Sequence, residues 1–316
     1  MSWTAAFASL WLLVAFNTAQ AIDFDRYHSL NEIDQYLKET AETHPDIVHY
    51  VRLGTSEQGR VIAYVVISKS DPAQVPALYF NGTHHGDEKS STEGILALID
   101  HLLKNREDPQ VAHLLTRYAV YLQPLVNPDG HAAHTRGDAQ GRDPNRDYAY
   151  PLRSESGSFK IAGIRLVKEL VDRIRPRASA AYHSGMEGVL WPWAHSSERT
   201  ADQDLLYTLS KNAATAMGFT TYVQSYYDYE THGEYIDYVY WKHHTLGVTF
   251  EVSQVATPEA AQLSRVVANS VMGGMQLMHD VAAHDTRALL VERAPNQANW
   301  RQFLVLNDLL QRRSLE

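Results

Sequence analysis

The 316-residue chain contains no cysteine. Disulfides, thiolate metal sites and cysteine nucleophiles are excluded, so any transition-metal site must be built from His, Asp and Glu. Positive charge is scarce as well. Lys and Arg number 28 against 37 Asp and Glu, a formal charge of −9, and there is no long basic run. Nucleic acid is therefore not an expected partner. The Gly-x-Ser-x-Gly elbow of serine hydrolases is missing. Internal repeats and low-complexity tracts are missing too. After residue 21 no apolar stretch approaches the roughly 20 residues that a spanning helix needs.

What is present begins with a segment unlike the rest. Residues 3–16 are apolar and nearly uncharged, and Ala19-Gln20-Ala21 is a small-x-small cleavage site. This reads as a secretory signal over 1–21, with the mature chain starting at Ile22 and a secreted or periplasmic destination. The positive n-region is lacking apart from the amino terminus, which leaves a single membrane anchor as the alternative. At 316 residues and 44% hydrophobic, the chain as a whole can bury a large core in one or two domains.

Helical and strand patterns alternate along it. A helix is expected over 30–43, capped by Ser29 or Asn31 and ended near Pro45. β-rich runs at 47–53 and 61–68 flank a hairpin at 54–60. A short strand at 77–81 feeds a loop, and Ser90 or Ser91 caps a helix through Leu103, with Ile95, Leu98, Ile99 and Leu102 on one face. A strand over 118–126 is followed by a long polar loop from about 131 to 158, a length usually functional or disordered. A helix at 161–174, a strand at 178–182, a helix at 202–217, an extended piece at 220–224 and a strand at 246–252 follow. Thr257 and Pro258 open a helix through about 282. The pattern is α/β, one domain with a mixed, mostly buried sheet between helices, over 22–283. Residues 284–316 form an extension with a helix at 300–312.

Polar residues recur at the ends of the apolar runs, where open α/β sheets place their sites. The loop after 77–81 reads Asn81-Gly82-Thr83-His84-His85-Gly86-Asp87-Glu88. A His-x-x-Glu pair there aims an imidazole and a carboxylate at one metal, a donor set that suits zinc. His84 with Asp87 has the same spacing as His85 with Glu88. His183, ending a strand of small residues, offers a third ligand, although any single one of 16 histidines is ordinarily just hydrogen-bonded. Arg136, Arg142, Asn145 and Arg146 are grouped in the long loop, where paired guanidinium bonds would suit a carboxylate. Glu251 interrupts an apolar strand, which is costly unless it is paired, faces a cavity or is functional. An apolar wall would raise its pKa toward a general base. Tyr226, Tyr227 and Tyr229 crowd a segment near Gly233 that reads as a mobile loop.

In this order the residues resemble the zinc metallocarboxypeptidases of the carboxypeptidase A/B type. The likeness runs from about 27 to 278. It rests on Tyr27-His28-Ser29-Leu30, on Gly54 to Arg60, on His85-x-x-Glu88, on Asn127-Pro128-Asp129-Gly130, on Asp143-Pro144-Asn145-Arg146, on His183-Ser184 and on Phe250-Glu251. The resemblance implies a sheet of about eight strands and one zinc ion on His85, Glu88 and His183. It makes Glu251 the base and Asp143 the brace of the first ligand. Arg136 would polarise the scissile carbonyl, and Asn145, Arg146 and Tyr229 would grip the terminal carboxylate of a peptide. Ile236 would floor the side-chain pocket, favouring apolar or aromatic C-terminal residues, with Glu234 able to receive a basic one. Two departures stand out: Asp87 replaces an arginine of the pancreatic enzymes, and no propeptide fits between Ala21 and Tyr27. The implied activity is an exported zinc exopeptidase. Alternatives on the same fold are a peptidoglycan stem-peptide peptidase and an N-acyl amino acid deacylase. A zinc-free binding module would need a missing ligand or base.

Overall fold

Near-continuous buried runs of apolar and small residues build a central sheet whose two faces are both covered. The computed structural model describes residues 22–293, so the expected signal segment (1–21) and the expected helix at 300–312 lie outside the described residues. The strands are β1 Val48–Thr55, β2 Val61–Ile67, β3 Ala77–Gly82, β4 Ala119–Gln123, β5 Ala178–His183, β6 Met186–Trp191, β7 Tyr222–Gln224 and β8 Leu246–Ser253. They form one eight-stranded sheet in the order β1-β2-β4-β3-β5-β8-β6-β7. The four central strands β4, β3, β5 and β8 run parallel, while β1–β2, β2–β4 and β6–β8 pair antiparallel.

The helices are α1 Leu30–Thr43, α2 Lys89–Lys104, α3 Pro109–Arg117, α4 Pro128–Ala133, α5 Ala162–Ile174, α6 Gln203–Ala216, α7 Ser225–Asp228, α8 Tyr235–His243 and α9 Ala260–Arg293. On one face Leu78, Phe80, Val120, Leu122, Val248 and Phe250 pack with α1, α2, α3, α6 and α9. On the other, Tyr79, Ala119 and Ala181 pack with α5 and α8. This is the mixed α/β sheet between helices expected from the sequence. The Ser29 cap of α1 is reciprocal: its side chain accepts from Glu32 N, and its own N–H donates to the Glu32 carboxylate.

Some elements differ from expectation. Ser91 does not cap α2, which starts at Lys89 with Glu88 in the cap position. Its hydroxyl turns inward instead, donating to Glu88 O at 2.5 Å and accepting from Thr83 N at 2.9 Å. The long polar segment after β4 contains α4 and two single 3₁₀ turns. Strand β6 and helices α3 and α8 are additional. Helix α9 does not stop near 282 but continues to Arg293, through the expected boundary at 283/284. Beyond that boundary Asp285 accepts from Tyr118 Oη at 2.8 Å and from Arg177 Nε at 2.9 Å.

The connection from β3 leads to β4 on one side, and the next crossover brings β5 to its other side. The chain thus changes direction at the C-terminal end of β3. A crevice opens there, where α/β sheets bind ligands.

Candidate metal centre and substrate cleft

The loop leaving β3 carries both candidate pairs, His84 with Asp87 and His85 with Glu88, to that crevice. Gly86 is obligatory in it, because a Cβ would lie 1.9 Å from Gly130 C and 2.2 Å from His131 N. The loop thus lies directly on the Asn127-Pro128-Asp129-Gly130 turn. Asn127 Nδ2 donates to His84 O and to Gly137 O, both at 3.1 Å, and Asn127 Oδ1 accepts from Gly130 N at 2.9 Å. Asp129 in turn accepts from Ser56 Oγ, Gln58 N and Arg60 Nη1 at 2.7, 3.1 and 2.7 Å. The β1–β2 hairpin is fastened to the same turn.

This clamp separates the two equally spaced pairs. His84 turns toward the layer of α5 and α8 (the lower layer), with Nε2 2.8 Å from Tyr148 Oη, and stacks on His183 at 5.3 Å between ring centroids. His85 and Glu88 face the crevice. His85 Nδ1 lies 2.7 Å from Glu88 Oε1, and His183 Nδ1 lies 2.9 Å from Glu88 Oε2. Ligand atoms of His85, Glu88 and His183 all fall within 4.8 Å of one another, and all three residues are buried. Parallel pairing puts His183 beside Glu251 in register.

The donor set fits a divalent metal. Asp143 Oδ1 sits 3.0 Å from His85 Nε2; with the ring hydrogen there, Nδ1 points a lone pair at Glu88. Two electron-rich atoms so close need a proton or a metal between them. Without a metal, a proton fills that role. Burial lowers the His85 pKa, but the Glu88 charge and the bonds to Asp143 and Glu88 outweigh it and lift the imidazole to about 9. Burial likewise opposes ionisation of Glu88, yet the two imidazoles hold its pKa far below the usual range. A metal here must displace that proton, as protein ligands generally require. Buried His183, its pKa lowered by burial, leaves Nε2 without a partner among the described residues.

Arg136, Asn145, Arg146, Tyr229 and Glu251 line the same cleft of about 280 Å³. Glu251 is the one part-exposed residue of β8, on the same face as Thr249, and its Oε2 has no hydrogen-bond partner among the described residues. Burial, with the Glu88 charge second, holds its pKa well above the usual carboxylate range. Arg136 is fixed by Nε to Asp143 Oδ2 at 3.0 Å, and its Nη1 lies 3.5 Å from Glu88 Oε1. Asn145 Oδ1 accepts from Tyr235 N at 3.0 Å, while its Nδ2 makes no protein hydrogen bond among the described residues. Arg146 donates to Tyr229 Oη and to Glu234 Oε1, each at 3.2 Å. Gly233, at φ +85°, permits this: a Cβ would stand 2.6 Å from Arg146 O.

Ile236 is placed differently from expectation. It is 1% exposed, packs in the lower core and does not line the cleft. It occupies the second position of α8, and the helix turns it toward the lower layer. Glu234, at the helix cap, lines the cleft instead, together with Leu190, Ser225, Asp228 and Thr249. The tyrosine segment also departs from a plain loop. Tyr226 and Tyr227 belong to the short α7, and Tyr229 follows at its end, 57% exposed. Sequence inspection assigned no role to Ser184, whose N–H donates to Glu88 Oε2 at 3.2 Å. Its only signal was its place next to His183.

Comparison with known proteins agrees with this architecture. The chain is 32% identical to mouse (Mus musculus) carboxypeptidase M over 148 residues, 45% of this chain and 33% of that one. It is 26% identical to carboxypeptidase A1 of Rattus norvegicus over 271 residues, 74% of this chain and 64% of the relative. It therefore spans less than two thirds of either. Carboxypeptidase A from Helicoverpa armigera superposes with a TM-score of 0.76 at 19% identity, covering 84% of this chain and 76% of that one, which is a likeness of fold. The family model described as zinc carboxypeptidase matches residues 33–273 of the 316, and the chain belongs to that family.

Proposed function

We propose that this protein is an exported, zinc-dependent exopeptidase that hydrolyses the last amide bond of peptides bearing a free α-carboxylate. The observation that carries this reading is the convergence of two constellations in one cleft. His85, Glu88, His183 and Glu251 lie at one part of it, and Asn145, Arg146 and Tyr229 at another. The first set suits hydrolysis; the second suits an anionic chain end.

One zinc ion, held by His85, Glu88 and His183, would supply Lewis acidity, lowering a water's pKa from ~15.7 toward ~7 and polarising the carbonyl. Glu251 accepts the water proton at its free oxygen and delivers it to the leaving amine, a role its raised pKa favours. Arg136, steadied by Asp143, offers its guanidinium to the oxygen that gains negative charge. Asp143 orients the His85 ring, and such outer partners typically carry ~10–100-fold in metal affinity or activity. Arg146 and the free amide of Asn145 receive the substrate carboxylate, with the Tyr229 hydroxyl closing on it. An internal peptide bond lacks that group, so cleavage proceeds from the end.

Leu190 and Met186 share the cleft wall with Glu234 and Asp228, which favours a mixed range of C-terminal side chains. Export rests on the apolar run at 3–16 and on Ala19-Gln20-Ala21. Among the described residues no helix is long and apolar enough to cross a membrane. The test is a release assay on a peptide, its C-terminal amide, a muropeptide and an N-acyl amino acid, with and without chelator. The free-acid peptide should be cleaved, its amide spared, and activity lost on chelation. Equal cleavage of acid and amide would remove the carboxylate clamp from the account.

A further inference from the structure

Away from the metal ligands, one buried carboxylate makes an unusual set of bonds. Asp237 on α8 is fully buried. Its Oδ1 accepts from Ala194 N at 2.8 Å, and its Oδ2 accepts from His195 N at 3.2 Å and faces His195 Nδ1 at 2.5 Å. The amides of the stretch after β6 are thereby turned toward α8. Its carbonyls point the other way, onto the tyrosine segment. Trp193 O accepts from Tyr226 N at 3.0 Å and Ala194 O from Thr231 N at 3.1 Å. Ser196 O accepts from Gln224 Nε2 at 2.8 Å. Tyr229 hangs between the two backbone anchors, and its ring lies 5.9 Å from the Arg146 guanidinium. The His195 ring also packs on Tyr150 at 5.0 Å, and Tyr150 stacks on His232 in the same segment.

We propose that Asp237 and His195 are positioning residues for substrate binding: they fix the backbone strip from which the Tyr226–Thr231 segment is suspended, and so set where the Tyr229 hydroxyl meets a substrate carboxylate. Neither touches the substrate. A core carboxylate needed for packing alone could bond to any nearby amides; this one grips the two residues whose strip carries both anchors of the closing tyrosine. The inference rests on the reading of Tyr229 as part of the clamp, and the experiment separates the two.

Steady-state kinetics of the zinc enzyme on a free-acid peptide are measured for Tyr229→Phe, Asp237→Asn and the double variant. Each single change is expected to raise KM about two- to tenfold, the range a single hydrogen bond supplies, with the effect on KM rather than kcat. The double variant is expected to be no worse than the poorer single, since both act through one contact. A purely structural role would lower the active fraction, hence apparent kcat, and leave KM alone. His195→Gln, which keeps the backbone bonds to Asp237, enters the same cycle if Asp237→Asn fails to fold, with the same coupling expected. An unaltered KM, or effects of the two sites that simply multiply, overturns the positioning role while the clamp stands. A silent Tyr229→Phe overturns the clamp reading itself, and the positioning role with it.

Discussion

Glu251→Gln is expected to keep its metal and lose about 10²–10⁴ in kcat, the usual contribution of a placed general base. The substitution preserves shape on a buried strand, and Glu251 contributes no bond to His85, Glu88 or His183 that would loosen the ligands. What it removes is the proton acceptor. Burial and the neighbouring Glu88 charge raise the Glu251 pKa, so in the parent the carboxylate form, and with it activity, grows as pH rises through that pKa. The acidic limb of the kcat/KM profile should vanish in the variant. Parental turnover in the Glu251→Gln protein would leave the reaction without this base.

Arg136→Ala is expected to lower kcat by about 10²–10³, the loss typical when one donor to a developing oxyanion is removed. Its guanidinium is 45% exposed, so stability should change little. Its anchor, Asp143, also accepts from Asn145 N at 2.9 Å and faces His85, so that carboxylate keeps other partners. A change in KM alone would move Arg136 from the reacting carbonyl to ordinary substrate binding. Lys at this position should recover only part of the rate, because an ammonium cannot hold Asp143 and face the cleft with one planar group.

Much of the scaffold was legible because its signals are local. The cap before α1, the short apolar runs of β3 and β5, and the stripe on α2 each announce an element within a few residues. The candidate metal-binding group was legible because His85 and His183 follow apolar runs. The choice between His85–Glu88 and His84–Asp87 came only with the family resemblance, since the spacings are identical. The physical separation of the two pairs is not a local property. It is made by Gly86 lying on Gly130, a contact between segments more than forty residues apart in sequence.

The misplacement of Ile236 has a similar origin. Nearly every residue at the start of α8 is buried, so no polar stripe marks its phase. Strand β6 was hidden by Glu187 and Gly188 inside its apolar run. Past 282, α9 is tied down by Asp285 meeting Tyr118 and Arg177, which come from other parts of the chain. The part played by Asp129 was equally hidden: the motif was visible, but its partners Ser56, Gln58 and Arg60 lie about seventy residues upstream.

The proposed chemistry rests on His85, Glu88 and His183, three side chains from two strand ends, holding one ion beside Glu251. Elemental analysis of the purified protein and of His183→Ala, paired with release of a C-terminal residue, examines it most directly. One zinc per parent chain, with both metal and activity gone from the variant, is the predicted result. A parent that binds no metal, or a variant that retains zinc and turnover, would contradict it.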